Sequence, residues 1–230
     1  MDNCSPKDYI VENDSQKNDK IENISPKDIE RRSMEIIESE LKDTSHLSQE
    51  EKLVVKRVIH TTADFDYLDN LKFSPGAVCH GIAALKNHAV IVTDTNMAKA
   101  GINKAALKKL GCEVVCFMAD EDVAAGANEK GLTRAVVSVD KAAEQLKDKN
   151  VIYAIGNAPT ALLHLLELIE RKRFVPSLVV GAPVGFVNVI QSKEMIKKCH
   201  VPYIVADGRK GGSTVAAAIC NAILYQIYDR

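Results

Sequence analysis

The chain has 230 residues, 46% of them hydrophobic, enough for one large or two small domains with a real core, a single domain being the default expectation. Its 30 basic and 31 acidic residues leave a formal charge of -1, which excludes a protein-wide field that draws in nucleic acid or an anionic membrane, so any anion site must be local. No apolar stretch reaches the roughly 20 residues of a membrane helix, and the polar N-terminus has no signal-peptide core, so a cytoplasmic protein is expected.

Residues 1–24 are dominated by Asp, Asn, Lys, Glu and Ser, the composition of a flexible polar tail. Ser5-Pro6-Lys7-Asp8 recurs as Ser25-Pro26-Lys27-Asp28. In the second copy Ser25 suits a helix cap, Pro26 the first helical position and Asp28 the positive end of the helix dipole. One α/β domain over 25–230 is therefore expected to begin there.

Ile29, Ile36, Ile37 and Leu41 recur at helical spacing, and Ser48 with Glu51 forms a capping box ahead of Leu53, Val54, Val55, Val58 and Ile59. Two amphipathic helices thus open the domain. Ser74-Pro75 predicts a short helix, Ala89–Thr93 a buried strand, and Thr95–Leu110 one helix stopped by Gly111. Strand-like runs follow at Glu113–Met118, Val151–Ile155, Ser177–Val180 and Pro202–Ala206. They alternate with helical patterns at Ala158–Lys172, Gln191–Lys198 and Gly212–Tyr228. Ala135–Val139 reads as a further short strand. These runs are near-continuously apolar, which fits strands covered on both faces. The expected fold is a doubly wound, mostly parallel α/β sheet with helices on both faces and N-terminal helices, in a single domain.

The six cysteines include no CxxC pair. A strand between Cys112 and Cys116 separates them by roughly 13 Å, too far for one metal ion, so both read as buried thiols and no metal site is expected.

Three glycine turns, Gly156-Asn157-Ala158-Pro159-Thr160, Gly181-Ala182-Pro183-Val184-Gly185 and Gly208-Arg209-Lys210-Gly211-Gly212-Ser213, each close an apolar run. In a parallel sheet such turns gather along the edge where ligands bind. None matches GxGxxG or the P-loop pattern. Amides near Asn157 and Thr160, and near Gly211, Gly212 and Ser213, suit carboxylates; equally, the glycines suit tight strand-to-helix turns.

Arg57, His60 and Asp64 stand three and four residues apart, so on a helix they share a face. His60 then reads as a proton donor oriented by a carboxylate, with Arg57 binding an anion beside it. A favourable charge at a helix C-terminus explains the histidine equally well.

The motifs Ile29-Glu30-Arg31-Arg32-Ser33, Arg57-Val58-Ile59-His60, Asp94-Thr95-Asn96-Met97, Gly156-Asn157-Ala158-Pro159-Thr160-Ala161-Leu162, Gly181-Ala182-Pro183-Val184-Gly185-Phe186-Val187 with Ser192-Lys193-Glu194, and Gly208-Arg209-Lys210-Gly211-Gly212-Ser213 follow in order. Over about 26–225 the chain resembles the precorrin-8X methylmutases, or precorrin isomerases, including their cobalt-precorrin-8 form. The resemblance implies an isomerase of cobalamin biosynthesis. It moves a methyl group from ring carbon eleven to ring carbon twelve of a corrinoid, giving hydrogenobyrinate or, with cobalt in the ring, cobyrinate. It implies no cofactor beyond any cobalt carried by the substrate. His60 matches the catalytic histidine, while Ser33 and Arg57 match substrate-contacting positions. Arg32, Thr133, Arg134, Asn157, Thr160, Gly211, Gly212 and Ser213 are further candidates for the substrate's carboxylates. A tightly held product and a homodimer with active sites near its interface are also implied. The readings from other classes are a non-catalytic corrinoid carrier and another α/β enzyme acting on an anionic metabolite.

Overall fold

The structure is a computed structural model that describes residues 21–228. Residues 1–20 of the expected tail, with the first Ser-Pro-Lys-Asp copy and Cys4, lie outside the described residues. In chain order the elements are α1 (Ile29–Glu40), α2 (Gln49–Thr62), α3 (Tyr67–Asn70), β1 (Leu71–Phe73), α4 (Ala77–Lys86), β2 (Val90–Thr93), α5 (Asn96–Gly101), α6 (Lys104–Lys109), β3 (Glu113–Val115), α7 (Glu121–Lys130), α8 (Arg134–Gln145), β4 (Val151–Ile155), α9 (Pro159–Glu170), β5 (Leu178–Gly181), α10 (Val189–Ile196), β6 (Tyr203–Ala206) and α11 (Ser213–Leu224).

The strands form one sheet in the order β1-β6-β5-β4-β2-β3. All neighbours are parallel except β1, which runs antiparallel to β6. Central strands β2, β4 and β5 are buried at every residue, as continuous apolar runs require when both faces are covered. One face packs its core against α2, α4 and α11, centred on Val55, Leu85, Ile152 and Ile219. The other packs against α8 and α9, with Tyr153, Val139, Leu162 and Leu165 fully buried. From β2 the chain goes out to β3 and then returns to pair β4 on the other side. The carboxyl ends of β2 and β4 therefore flank the crevice where the winding direction reverses, the position at which such sheets bind ligands.

The capping box at Ser48 forms as expected, with both of its hydrogen bonds present. Four expectations change. Ser25 does not cap α1; it accepts from the Asp28 amide in a turn, and the helix begins one residue after Asp28. Thr95–Leu110 is two helices, because buried Ile102 is extended and the Asn103 side chain caps a new start at the Ala106 amide. Ala135–Val139 is the start of α8 rather than a strand. Thr133 caps that helix, and Ala135, Val139 and Ala142 are buried at helical spacing. Finally, α3, β1 and α7 had no counterpart among the predicted elements. β1 is only three residues long and is held as an edge strand by pairing with β6.

Candidate active site

At the crevice, Asp94 follows β2 and is wholly buried. Its carboxylate accepts from the amides of Gly156 at 2.8 Å, Asn157 at 2.8 Å and Ala158 at 2.7 Å. Burial pushes this carboxyl above its ordinary range, and the three amides oppose the shift. The anion socket that the glycine turn and the α9 start create is thus filled from within the chain. The amides expected near Asn157 to receive a ligand carboxylate are used by Asp94, the first residue of the Asp94-Thr95-Asn96-Met97 motif and not among the expected site residues.

Neighbouring hydroxyls line the same edge. Thr95 Oγ1 lies 2.8 Å from Ser213 Oγ, and Thr133 Oγ1 lies 3.3 Å from Thr160 Oγ1. Arg134 and Asn157 are exposed beside them. The glycines here serve close backbone packing. A Cβ on Gly156 would lie 2.8 Å from the Ser213 Cα, and one on Gly211 2.3 Å from the Ala182 carbonyl oxygen. The Gly212 amide donates to that same Ala182 carbonyl at 2.9 Å.

His60 sits in the last turn of α2, where α1 packs across it. Its Nδ1 lies 2.8 Å from Ser33 Oγ. The two line a cavity of about 340 Å³ with Ile24, Arg32, Ile37 and Phe65. Arg32 is held by a two-pronged pair with Glu22, at 2.9 and 2.7 Å. The orienting partner expected for His60 was Asp64; the structure provides Ser33. The reason is local: α2 ends at Thr62 and Ala63 turns left-handed at φ 53, which takes Asp64 off the helix face. Asp64 instead accepts from Lys210, whose ammonium holds that carboxyl below its usual range. Lys210 also reaches Asp66, so the glycine-rich loop after β6 is tied to the chain just beyond His60.

Arg57, one turn before His60, lines a neighbouring groove instead. It donates to Glu30 at 2.6 Å and stacks over the Tyr225 ring at 5.1 Å. The structure therefore brings together His60, Ser33 and Arg32, pairs Thr133 with Thr160, and places Ser213 and Gly212 beside the crevice, but it does not put Arg57 into the His60 cavity. Glu22 and Ile24 were missed because their polar stretch resembles the tail. A buried acidic residue directly after a strand and before a capping Thr is the signal that could have singled out Asp94. Cys112 and Cys116 are buried and free. Among the described residues no cluster of three His, Cys, Asp or Glu could hold a metal ion, and no helix is long and apolar enough to cross a membrane.

The precorrin-8X methylmutase family model matches residues 28–226. The chain is 46% identical to the cobalt-precorrin-8 methylmutase of Leptospira interrogans, covering 86% of this chain and 92% of that one. It is 45% identical to the enzyme of the same name from Salmonella typhimurium, covering 89% and 97%. It is also 43% identical to the precorrin-8X methylmutase of Pseudomonas aeruginosa, covering 75% and 82%. The crystal structure of precorrin-8X methylmutase from Thermus thermophilus superimposes with a TM-score of 0.80 at 42% identity, over 86% of this chain and 94% of that one.

Proposed function

The chain belongs to the precorrin-8X methylmutase family, and from that premise we propose that His60 is the group assisting the methyl migration, with Ser33 holding its ring. The protein is an isomerase of cobalamin biosynthesis. A methyl group leaves ring carbon eleven and joins ring carbon twelve of precorrin-8X or cobalt-precorrin-8, giving hydrogenobyrinate or cobyrinate.

The observation that carries the proposal is the 2.8 Å contact between Ser33 and His60 Nδ1 inside a cavity that also holds Arg32. A hydroxyl at Nδ1 fixes the plane of the imidazole. The ring then lends a proton, or a hydrogen bond, to the macrocycle while the methyl group moves. Substrate and product are isomers, so a lent proton returns before release and no methyl donor or redox partner enters the balance. Orientation, one positioned proton and exclusion of water are what such a step needs. In this proposal no cofactor is required, and any cobalt belongs to the substrate.

The substrate carries many acetate and propionate carboxylates. Arg32, Arg57, Arg134, Thr133, Thr160, Ser213 and the Gly211 amide are its proposed partners, since guanidinium and amide groups make charge-assisted bonds to carboxylates; the Gly212 amide, expected to join them, is taken by the Ala182 carbonyl. Asn157 contributes its side chain, because its amide already serves Asp94. We further propose a cytoplasmic homodimer that retains its product tightly. Exposed Val184, Phe186 and Val187 form the apolar strip for the second subunit, adjoining the crevice.

The test is an absorbance time course with precorrin-8X and, separately, cobalt-precorrin-8, beside a His60→Ala variant. Conversion should fall by about 100-fold to 10,000-fold in the variant while corrinoid binding persists. Near-wild-type turnover would take His60 out of the mechanism. Binding of both corrinoids by the wild type without conversion of either would make the protein a carrier.

A further inference from the structure

Lys193, on α10, has no exposed surface, and nothing in the methyl migration uses it. Its ammonium donates to the Gly208 carbonyl at 2.9 Å and the Lys210 carbonyl at 2.7 Å. Burial pushes this group down to about 8, with the Asp207 charge opposing. Asp207 itself accepts from Lys197 at 3.0 Å, and Lys197 pairs with Glu194 at 2.8 Å. A buried ammonium is unfavourable unless its donors are used. Here they are used on two alternate carbonyls of one loop.

The geometry of the peptide group gives that choice a consequence. In a planar trans peptide the carbonyl and the following N–H point in opposite directions, and the described residues contain no cis bond. Drawing the carbonyls of Gly208 and Lys210 inward onto Lys193 therefore turns the N–H groups of Arg209 and Gly211 outward. Neighbouring contacts lock this pose. The Gly185 amide donates to the Arg209 carbonyl at 3.3 Å, and Gly211 is pressed so closely on Ala182 that no side chain fits there.

We infer that Lys193 is a positioning residue: its buried ammonium turns the Arg209 and Gly211 amides outward to receive a carboxylate of the corrinoid. This inference rests on the proposed function, which supplies the polycarboxylate. Lys193 touches no substrate itself. It acts through the loop, and the loop reaches the end of α2 through Lys210.

Lys193→Met removes the charge and the donors but keeps an unbranched stem. The KM for cobalt-precorrin-8 should rise about tenfold, while kcat per folded molecule stays within about threefold of wild type. A folded variant whose KM stays within about twofold of wild type overturns the inference. The wild-type control separates the two possible failures: no conversion by the wild type ends the functional reading, whereas conversion with an unchanged KM in the variant ends this one. If Lys193→Met does not fold, the wild-type protein carries the test. Its Arg209 and Gly211 amide proton resonances should move downfield as hydrogenobyrinate is added, and resonances that stay in place while the ligand binds overturn the inference.

Discussion

Ser33 and His60 are 27 residues apart in the chain and 2.8 Å apart in space. Ser33→Ala removes the hydroxyl that fixes the ring but leaves the imidazole, so kcat should fall about tenfold with little change in KM. Steady-state kinetics on the purified variant checks this, and an unchanged kcat would release Ser33 from its orienting role. Lys193 makes a prediction about stability. Its folded value of about 8 lies below the ordinary 10.5. Below pH 8 both folded and unfolded chains carry the proton, and the cost of burying the charge is fully present. Between pH 8 and pH 10.5 the unfolded chain keeps a proton that the folded one has shed, so stability rises with pH across that window. Urea unfolding of wild type and Lys193→Met across this range should show that rise in the difference between them, and a flat difference would contradict the buried charge.

At the level of elements, the start of α9 is organised by Asp94 rather than by a ligand. Removing that carboxylate leaves three buried or half-buried amides without their acceptor. Asp94→Ala should therefore lose on the order of 3 kcal/mol in urea unfolding. Formate, small enough for the vacated socket, should restore part of the loss. No restoration would mean that the turn collapses when the carboxylate is absent. Here the sequence was legible in one respect and opaque in another. Gly156 and Pro159 announced a strand-to-helix turn, and the turn is present. Which anion occupies it depended on β2 and β4 lying side by side, which brings the Asp94 carboxylate to the Gly156 amide across 62 residues of chain. The short edge strand β1 was opaque for a related reason, since three residues carry too little pattern to stand out and only β6 makes them a strand. α8 misled because a run of five residues with four apolar, Ala135, Val136, Val137 and Val139, satisfies both periods.

For the molecule as a whole, the exposed strip at Val184, Phe186 and Val187 lies beside the loop that Lys193 shapes, with Arg209 stacked over Phe186 at 5.3 Å. Sedimentation equilibrium should give about twice the chain mass of 25.2 kDa, and Phe186→Glu should shift the protein toward monomer by placing a charge in the buried centre of the contact. Wild-type protein sedimenting as a monomer at micromolar concentration would remove the proposed dimer. If the active site is completed near the interface, the same variant loses turnover together with assembly.

By itself the sequence determined the architecture and the family: buried parallel strands, amphipathic helices, the Ser48 capping box and the ordered glycine-bearing motifs. These are properties of local periodicity and short-range capping, which neighbouring residues enforce on one another. The tertiary structure alone decided how the site is wired. It placed Ser33 rather than Asp64 on His60, sent Arg57 to Glu30, and filled the α9 socket with Asp94. It also set Lys193 beneath the loop after β6. Each of those partners is remote in the chain, and which remote groups meet is settled by how α1 crosses α2 and by the order in which the strands are laid down, neither of which any local window of residues contains.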